Sequence, residues 1–295
     1  MNLQRSITTT KKVLEKQKVA RVNPGNGKYK LVAVDMDGTL LMPDKEIHPN
    51  TIQDIRSAVE QGIQVVYCSG RAVAELLPYT SVLPDIRYAV CMSGAVIYDC
   101  SEKRSLAVST IDNCFVRRIL ETAETLGGMI HFLTESESIV CGKDLDRMDE
   151  FHMTAFQPTF RKVARTARSM REEIESHTGI PKVNIYFRNA RDREAGYKAL
   201  SRLPLTFAFA EETSLEMTAE GVTKASGLVW LCDYLGVPME QTIGIGDAEN
   251  DRAMLHAVGF SVAMGNAEPE IRQLCDAVTA DNCHNGVGKA IRAFC

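Results

Sequence analysis

The chain has 295 residues, of which 45% are apolar and 24% charged, and its formal net charge at pH 7 is −4. The length favours two domains, and the composition is typical of a soluble globular protein. A slightly acidic chain without a long apolar run gives no reason to expect nucleic-acid binding or a membrane span. The nine cysteines contain no Cys-x-x-Cys pair, which indicates free thiols in a reducing compartment, so we predict a cytoplasmic protein.

The first segment of the chain is unusually basic. Residues 1–30 contain eight lysines or arginines and a single acidic residue, Glu15. This composition indicates a solvated, flexible arm, and the alternative is an organelle-targeting peptide, which also lacks acidic residues. Lysines outnumber arginines there by six to two, which argues against targeting. We therefore treat residues 1–28 as an arm outside the folded domains.

Strands and helices alternate in the next part of the chain. The run "KLVAVD" (30–35) is typical of a buried strand, and apolar residues at helical spacing predict a helix over 49–62. The run "IQVVYCSGR" (63–71) predicts a second strand, and "YAVCMSGAVIYD" (88–99) is another valine-rich run. This alternation predicts a mainly parallel sheet with helices on both faces.

The pattern changes in the middle of the chain and then returns. The runs 128–142 and 205–218 each predict a pair of strands, and their amphipathic character favours antiparallel pairing. After Glu220 the alternation of buried strands and helices resumes. We therefore predict a discontinuous α/β core over 29–110 and 211–295, with an inserted α+β unit over 111–210.

Polar residues cluster where the core strands are predicted to end. Ligands bind at the carboxyl ends of the strands in open α/β sheets, so clusters from distant parts of the chain should meet there. The clusters are Asp35 and Asp37 after the first strand, Ser69, Gly70 and Arg71 after the second, Gly246, Asp247, Asn250 and Asp251 after "TIGIG", and Lys224 in the first turn of a helix.

These residue types together indicate phosphoryl transfer. Asp35, Asp37 and Asp247 offer hard oxygens suited to Mg²⁺. Lys224 is a point charge for phosphate oxygens, and Ser69 offers a hydroxyl beside a flexible glycine. A cation site beside an anion site suits phosphate chemistry. One carboxylate can attack phosphorus, and a second, two residues along, can protonate the leaving oxygen and then activate water.

The ordered motifs resemble the haloacid dehalogenase superfamily of phosphohydrolases. They are D-M-D-G-T-L (35–40), S-G-R (69–71), Lys224 and G-D-A-E-N-D (246–251), and the closer likeness is to the Cof-like branch with a type IIB (C2B) cap. The resemblance covers roughly residues 30–295. It implies a Rossmann-like parallel-sheet core with an inserted α+β cap.

The resemblance also implies roles for individual residues. Asp35 would be the nucleophile and a metal ligand, and Asp37 the general acid/base, with its backbone carbonyl on the metal. Asp247 would be the remaining carboxylate on Mg²⁺. The residues implied in phosphate binding are Thr39, Ser69, Gly70, Lys224 and Asn250, and those implied in support of the turn and loop are Gly38 and Asp251.

Several features of the sequence distinguish phosphate chemistry from other functions. Asp37 favours phosphate chemistry over dehalogenation, because the dehalogenases lack that second aspartate. Gly244-x-Gly246 lacks the third glycine of a dinucleotide fingerprint, which excludes NAD binding. Ser93 stands where relatives commonly have asparagine, so the role of that asparagine does not transfer. Histidines in the insertion could line a substrate pocket, although packing or surface roles are the ordinary expectation.

We therefore predict an Mg²⁺-dependent phosphomonoester hydrolase that acts through an aspartyl-phosphate. The expected substrate is a sugar phosphate or a similar small phosphorylated metabolite, and the protein is expected to be a monomer or homodimer. The alternatives are a phosphomutase of the same fold and a non-catalytic protein that binds phosphorylated metabolites.

Overall fold

The computed structural model describes residues 28–209 and 212–295. Apart from Lys28, the predicted basic arm lies outside the described residues. The described chain forms two β-sheets, each with its own hydrophobic core.

The first segment builds one half of the first sheet. Its strands are β1 Leu31–Val34, β2 Gln64–Cys68, β3 Tyr88–Cys91, β4 Val96–Asp99 and β5 Arg104–Val108. Its helices are α1 Pro49–Glu60 and α2 Val73–Thr80. Every residue of β1 is buried, which agrees with the continuous apolar run read from the sequence.

The middle segment builds the second sheet, and we call it the inserted unit. Its strands are β6 Met129–Leu133, β7 Ser138–Cys141, β8 Ala164–Ala167, β9 Lys182–Tyr186, β10 Leu205–Ala208 and β11 Ser214–Ala219. Its helices are α3 Asn113–Leu126, α4 Gly142–Leu145, α5 Gln157–Val163, α6 Met170–Ser176 and α7 Ala190–Leu200. The pairs that involve β6, β9, β10 and β11 are antiparallel, whereas β7 and β8 pair in parallel.

The last segment completes the first sheet. Its helices are α8 Lys224–Leu235, α9 Arg252–Ala257, α10 Pro269–Leu274 and α11 Gly286–Phe294, and its strands are β12 Thr242–Gly246, β13 Phe260–Ala263 and β14 Ala277–Val278. The strand order is β14-β13-β12-β1-β2-β3-β4-β5. Pairing is parallel from β14 to β3 and antiparallel from β3 to β5. The predicted α/β fold with a mainly parallel sheet is confirmed.

The end of the inserted unit lies later in the chain than residue 210. Strand β11 pairs with β9 and with β10, so the second sheet runs to Ala219. The boundary predicted at 211 falls within this hairpin. The change in sequence pattern after Glu220 marks the return to the core more accurately than the predicted boundary does. The division into domains otherwise stays a prediction.

No helix in the described ranges is both long and apolar enough to cross a membrane.

A close approach of two backbones sets the position of α8. Gly94, in a turn after β3, has φ +99°, and a Cβ added to it would lie 2.0 Å from the carbonyl oxygen of Thr223. One turn into the helix, a Cβ on Gly227 would lie 2.8 Å from the Gly94 Cα. The first turn of α8, which carries Lys224, therefore rests directly on the turn after β3.

We expect Gly94→Ala to destabilise the fold more than Gly62→Ala. Both glycines have positive φ, but a Cβ on Gly62 meets no described residue within 4 Å. Strain alone should cost Gly62→Ala about 1–2 kcal/mol, whereas the added clash should bring Gly94→Ala to about 3 kcal/mol or more. Urea denaturation of both variants measures the two costs. Equal losses of unfolding free energy would show that the close approach does not constrain the helix.

Candidate active site

The loops that follow three neighbouring strands carry the predicted site residues. Asp35 follows β1, Ser69 follows β2 and Asp247 follows β12. Strands β12, β1 and β2 are adjacent and parallel, so their carboxyl ends lie at one edge of the sheet. The strand order thus brings these distant segments to one edge of the sheet, as predicted.

Lys224 lies at the centre of this edge. Its Nζ donates to Oδ1 of Asp35 at 2.5 Å and to Oδ1 of Asp251 at 2.6 Å. The lysine side chain is 0% exposed and those of the two aspartates are 6% and 0% exposed. Thr223 caps the helix by accepting a hydrogen bond from the Ser226 amide, which starts α8 at Lys224.

Three carboxylates gather beside the lysine. Asp35, Asp247 and Asp251 can each bring one oxygen within 4.8 Å of the others, an arrangement that could hold a metal ion. Oδ1 of Asp251 accepts from Lys224, and its Oδ2 accepts from the amides of Asp247 and Ala248. Because both Asp251 oxygens are used in this way, Asp251 braces the loop after β12, and Asp35 and Asp247 are the better donors to an ion.

The turn after β1 packs against Asp247. Thr39, predicted as a phosphate ligand, donates its hydroxyl to Oδ1 of Asp247 at 2.7 Å. Gly38 has φ +81°, and a Cβ there would lie 2.2 Å from Oδ2 of the same carboxylate. Asn266 donates to the Gly38 carbonyl oxygen. Gly38 therefore allows the turn to come close to Asp247, and Thr39 orients that carboxylate.

Asp37 lies outside the carboxylate cluster. Its side chain accepts from Nε and Nη2 of Arg71 at 2.6 and 2.7 Å and from Lys45 at 2.8 Å. It is 37% exposed, so it faces the open side of the site. Arg71 was predicted to lie in the converging clusters without an assigned role, and Lys45 was not included. The Ser-Gly-Arg motif was a signal for Arg71, whereas Lys45 had none.

The remaining predicted residues lie near the same edge. Ser69 is buried, and its hydroxyl oxygen accepts from the amide of Arg71. The carbonyl oxygen of Gly70 accepts from Lys182 of the inserted unit. Asn250 is half-buried, and no hydrogen bond of its side chain is found within 28–209 and 212–295. The structure places all ten predicted residues around this edge, and their individual roles stay predictions.

Burial dominates the electrostatics of the cluster. Burial, followed by repulsion from Asp251, raises the pKa of Asp35 well above its usual range, although Lys224 acts in the opposite direction. Burial also raises the pKa of Asp247 to about 6, despite the hydrogen bond from Thr39. The carboxylates thus repel one another in a largely buried site, and a bound cation would relieve that repulsion.

Asp37 behaves in the opposite way. Burial acts to raise its pKa, but the hydrogen bonds and charge of Arg71, with a further contribution from Lys45, hold the pKa well below its usual range. The carboxylate of Asp37 is therefore ionised in this arrangement. Two aspartates that are two positions apart in the sequence consequently have very different proton affinities.

The chain was then compared with known proteins. Residues 32–291 match the family model described as haloacid dehalogenase-like hydrolase. The chain belongs to this family. The resemblance carried by the sequence motifs is confirmed, and the chain is an enzyme of the hydrolase class whose relatives include named phosphatases.

Among its relatives, the chain is 29% identical over 282 residues to Phosphatase YwpJ of Bacillus subtilis (strain 168), covering 89% of this chain and 99% of YwpJ. It is also 29% identical over 268 residues to the 5-amino-6-(5-phospho-D-ribitylamino)uracil phosphatase YcsE of the same organism, covering 89% and 94%. A solved structure described as the subclass IIB sugar phosphatase BT4131 superposes with TM-score 0.78 at 23% identity, covering 90% of this chain and 98% of that one. The last match supports the fold.

We expect Lys224→Met to destabilise the protein by about 3–5 kcal/mol at pH 7.5, because it leaves two buried carboxylates without their cation. The loss should be smaller at pH 5.5. Without the lysine the pKa of Asp35 rises further, so the folded variant holds a proton that the unfolded chain releases above about pH 4. Stability relative to the wild type therefore increases as the pH falls. Urea denaturation at both pH values measures the difference.

Lys198→Met is the matched control, since the Lys198 side chain is 74% exposed and pairs with a half-exposed glutamate on the same helix. It should change the unfolding free energy by less than about 0.5 kcal/mol at either pH. A Lys224→Met loss that is the same at both pH values would contradict the charge explanation.

Proposed function

We propose that the protein is an Mg²⁺-dependent phosphomonoester hydrolase that acts through an aspartyl-phosphate on Asp35. The observation that carries this proposal is the contact between Lys224 and Asp35 at the end of β1, beside Asp247. The lysine orients a carboxylate for attack and lies where it can also meet a phosphate oxygen. An ordinary surface ion pair would not be buried at the strand edge where this fold binds ligands.

The donor set fits Mg²⁺. Asp35 and Asp247 would hold the ion with carboxylate oxygens, and the family resemblance adds the backbone carbonyl of Asp37. Three aspartates and one lysine carry an excess of negative charge, which suits a divalent cation. When bound, the ion would neutralise charge on the phosphate oxygens.

Different residues carry out different steps of the proposed reaction. A carboxylate oxygen of Asp35 attacks phosphorus, and the bond from phosphorus to the ester oxygen breaks as Asp37 donates a proton to that oxygen. Water then attacks phosphorus and gives a proton to Asp37. The bond between phosphorus and Asp35 breaks, which releases inorganic phosphate and restores both aspartates. Lys224 stabilises the charge on the phosphoryl oxygens throughout.

The contacts of Asp37 add a requirement to this sequence of steps. A general acid must hold a proton, but Arg71 and Lys45 keep Asp37 ionised. Both cations must therefore move away from the carboxylate when the substrate binds. A phosphate dianion that enters the site offers them an alternative partner.

Small phosphorylated metabolites are the proposed substrates, with sugar phosphates first among them. The relative YcsE is named for a substrate with a phosphoribityl chain. The same proposal includes a cytoplasmic location, where such metabolites are found, and no nucleic-acid or membrane partner.

We expect Asp35→Asn to reduce Mg²⁺-dependent phosphate release by about 10³-fold or more, since it removes the nucleophile. The assay covers sugar phosphates, nucleotides and pyridoxal phosphate, each with Mg²⁺ and with chelator. Asp233→Asn, a change at an exposed position of α8, is the matched control and should retain full activity.

Each departure from this result has a distinct meaning. Release that persists in Asp35→Asn would show that another group or another protein is responsible. If the wild type binds Mg²⁺ but releases no phosphate from any compound, the phosphomutase and the non-catalytic binding protein become the better readings.

We also expect the affinity for Mg²⁺ to fall with pH. The pKa of Asp247 is about 6 without the ion, and the ion binds the deprotonated carboxylate. The dissociation constant should therefore rise by at least about tenfold per pH unit below about pH 6, because Asp247 takes up a proton there. Isothermal titration with Mg²⁺ between pH 5 and pH 8 measures this. A constant affinity over the whole range would exclude Asp247 as a ligand.

A further inference from the structure

Three polar residues lie together on one face of the second sheet. Asn184 on β9 is directly opposite Glu216 on β11 in the antiparallel register, so their side chains lie about 5 Å apart at Cβ. Lys182 is two positions before Asn184 and therefore lies on the same face. We call Lys182, Asn184 and Glu216 the polar triplet.

Lys182 connects the polar triplet to the core beside the active site. Nζ of Lys182 donates to Glu216 at 2.7 Å, to the carbonyl oxygen of Gly70 at 3.0 Å and to Oγ of Ser93 at 3.1 Å. Gly70 belongs to the loop predicted to bind phosphate. The inserted unit therefore meets the core at the place where the organic part of a phosphomonoester would lie.

Ser93 contacts Lys182 from a turn of the core with positive φ. It has φ 56° and ψ 31°, a left-handed conformation in which asparagine is commoner than serine. Its hydroxyl accepts the hydrogen bond from Lys182. In this chain the core thus offers Lys182 a hydroxyl and a carbonyl oxygen, which are the oxygen types that a carbohydrate also presents.

Asn184 carries an unused acceptor. Its Nδ2 donates to the hydroxyl of Tyr186 at 3.1 Å, while its Oδ1 is buried and receives no hydrogen bond from the part of the chain that the structure describes. The residue is 4% exposed, so water in the bulk does not satisfy this oxygen. A buried carbonyl oxygen without a donor is unfavourable, so a substrate that brought a donor to it would gain affinity.

We propose that the polar triplet determines specificity by binding the leaving group and selects leaving groups with hydroxyl or amino donors. Oδ1 of Asn184 and the carboxylate of Glu216 accept from such donors, and Lys182 donates to oxygens of the same group. The leaving group takes the place of Gly70 and Ser93 as partner of Lys182. This inference rests on the proposed function, because it assigns the part of the substrate that is not phosphate.

A leaving group without hydrogen-bond donors is not stabilised by the acceptors of the polar triplet. The nitrophenolate of p-nitrophenyl phosphate has no O–H or N–H, so it leaves the acceptors of Asn184 and Glu216 unsatisfied. Sugar phosphates satisfy them. Discrimination should therefore appear as a difference between these two kinds of substrate rather than as a general loss of activity.

The test compares kcat/KM for the best sugar phosphate with that for p-nitrophenyl phosphate. Asn184→Leu keeps the approximate volume but removes the acceptor, and we expect a loss of about 10- to 100-fold for the sugar phosphate. Activity on p-nitrophenyl phosphate should change by less than about threefold. Glu216→Gln keeps the size of the side chain and removes its charge. We expect it, too, to lower kcat/KM for the sugar phosphate more than for p-nitrophenyl phosphate.

Asn113→Leu is the matched control. Asn113 also lies in the inserted unit and has a buried Oδ1 without a donor. However, its Nδ2 donates to the carbonyl oxygens of Ile174 and His177, at α6 and away from the core. Its loss should affect both substrates equally. This control separates general damage to the inserted unit from loss of leaving-group contacts.

Three results would overturn the proposal. Equal losses on both substrates in Asn184→Leu and Glu216→Gln would assign the polar triplet a structural role only. Unchanged activity on both would place it outside the binding surface. A wild type that prefers p-nitrophenyl phosphate to every sugar phosphate would exclude the selectivity. Absence of all Mg²⁺-dependent release from the wild type would instead remove the proposed function, and this inference with it.

Discussion

The contact on which the site depends is the burial of Lys224 between Asp35 and Asp251. These carboxylates lie 189 and 27 residues from the lysine in sequence. The three side chains therefore meet only in the folded parallel sheet. Charges this deeply buried are tolerated only when they are paired. The requirement for pairing therefore links the ends of β1 and β12 to the start of α8. The same interaction therefore supports the fold and positions the proposed nucleophile, Asp35.

Much of this arrangement could be predicted from the sequence. Short buried runs that alternate with helices indicate a parallel sheet, and strand ends in such a sheet converge, so Asp35, Ser69 and Asp247 were expected at one edge. The lysine followed from its place in the first turn of a helix. The boundary at residue 211 was misplaced, because β10 and β11 form a hairpin whose pairing depends on partners elsewhere in the second sheet.

The contacts between side chains could not be predicted in this way. Periodicity reports which face a residue occupies, but not which neighbour it meets. Asp37 was expected to meet a metal through its backbone carbonyl and to act as general acid/base, but the contacts of its carboxylate with Arg71 and Lys45 were not foreseen. Lys182 gave a weak signal, a cation within an otherwise apolar strand. Its partners Gly70 and Ser93 lie in another part of the fold, which only the three-dimensional structure brings near.

The close approach of Gly94 to Thr223 has a consequence for how natural variation in this chain should be interpreted. The turn after β3 touches the helix backbone one residue before the buried lysine. A replacement there displaces Lys224 without touching any substrate. Its effect would look like the loss of a reactive group in a survey of variants. Sensitivity to substitution at Gly94 therefore reflects the packing that supports the site. A list of sensitive positions would overstate how many residues take part in the reaction.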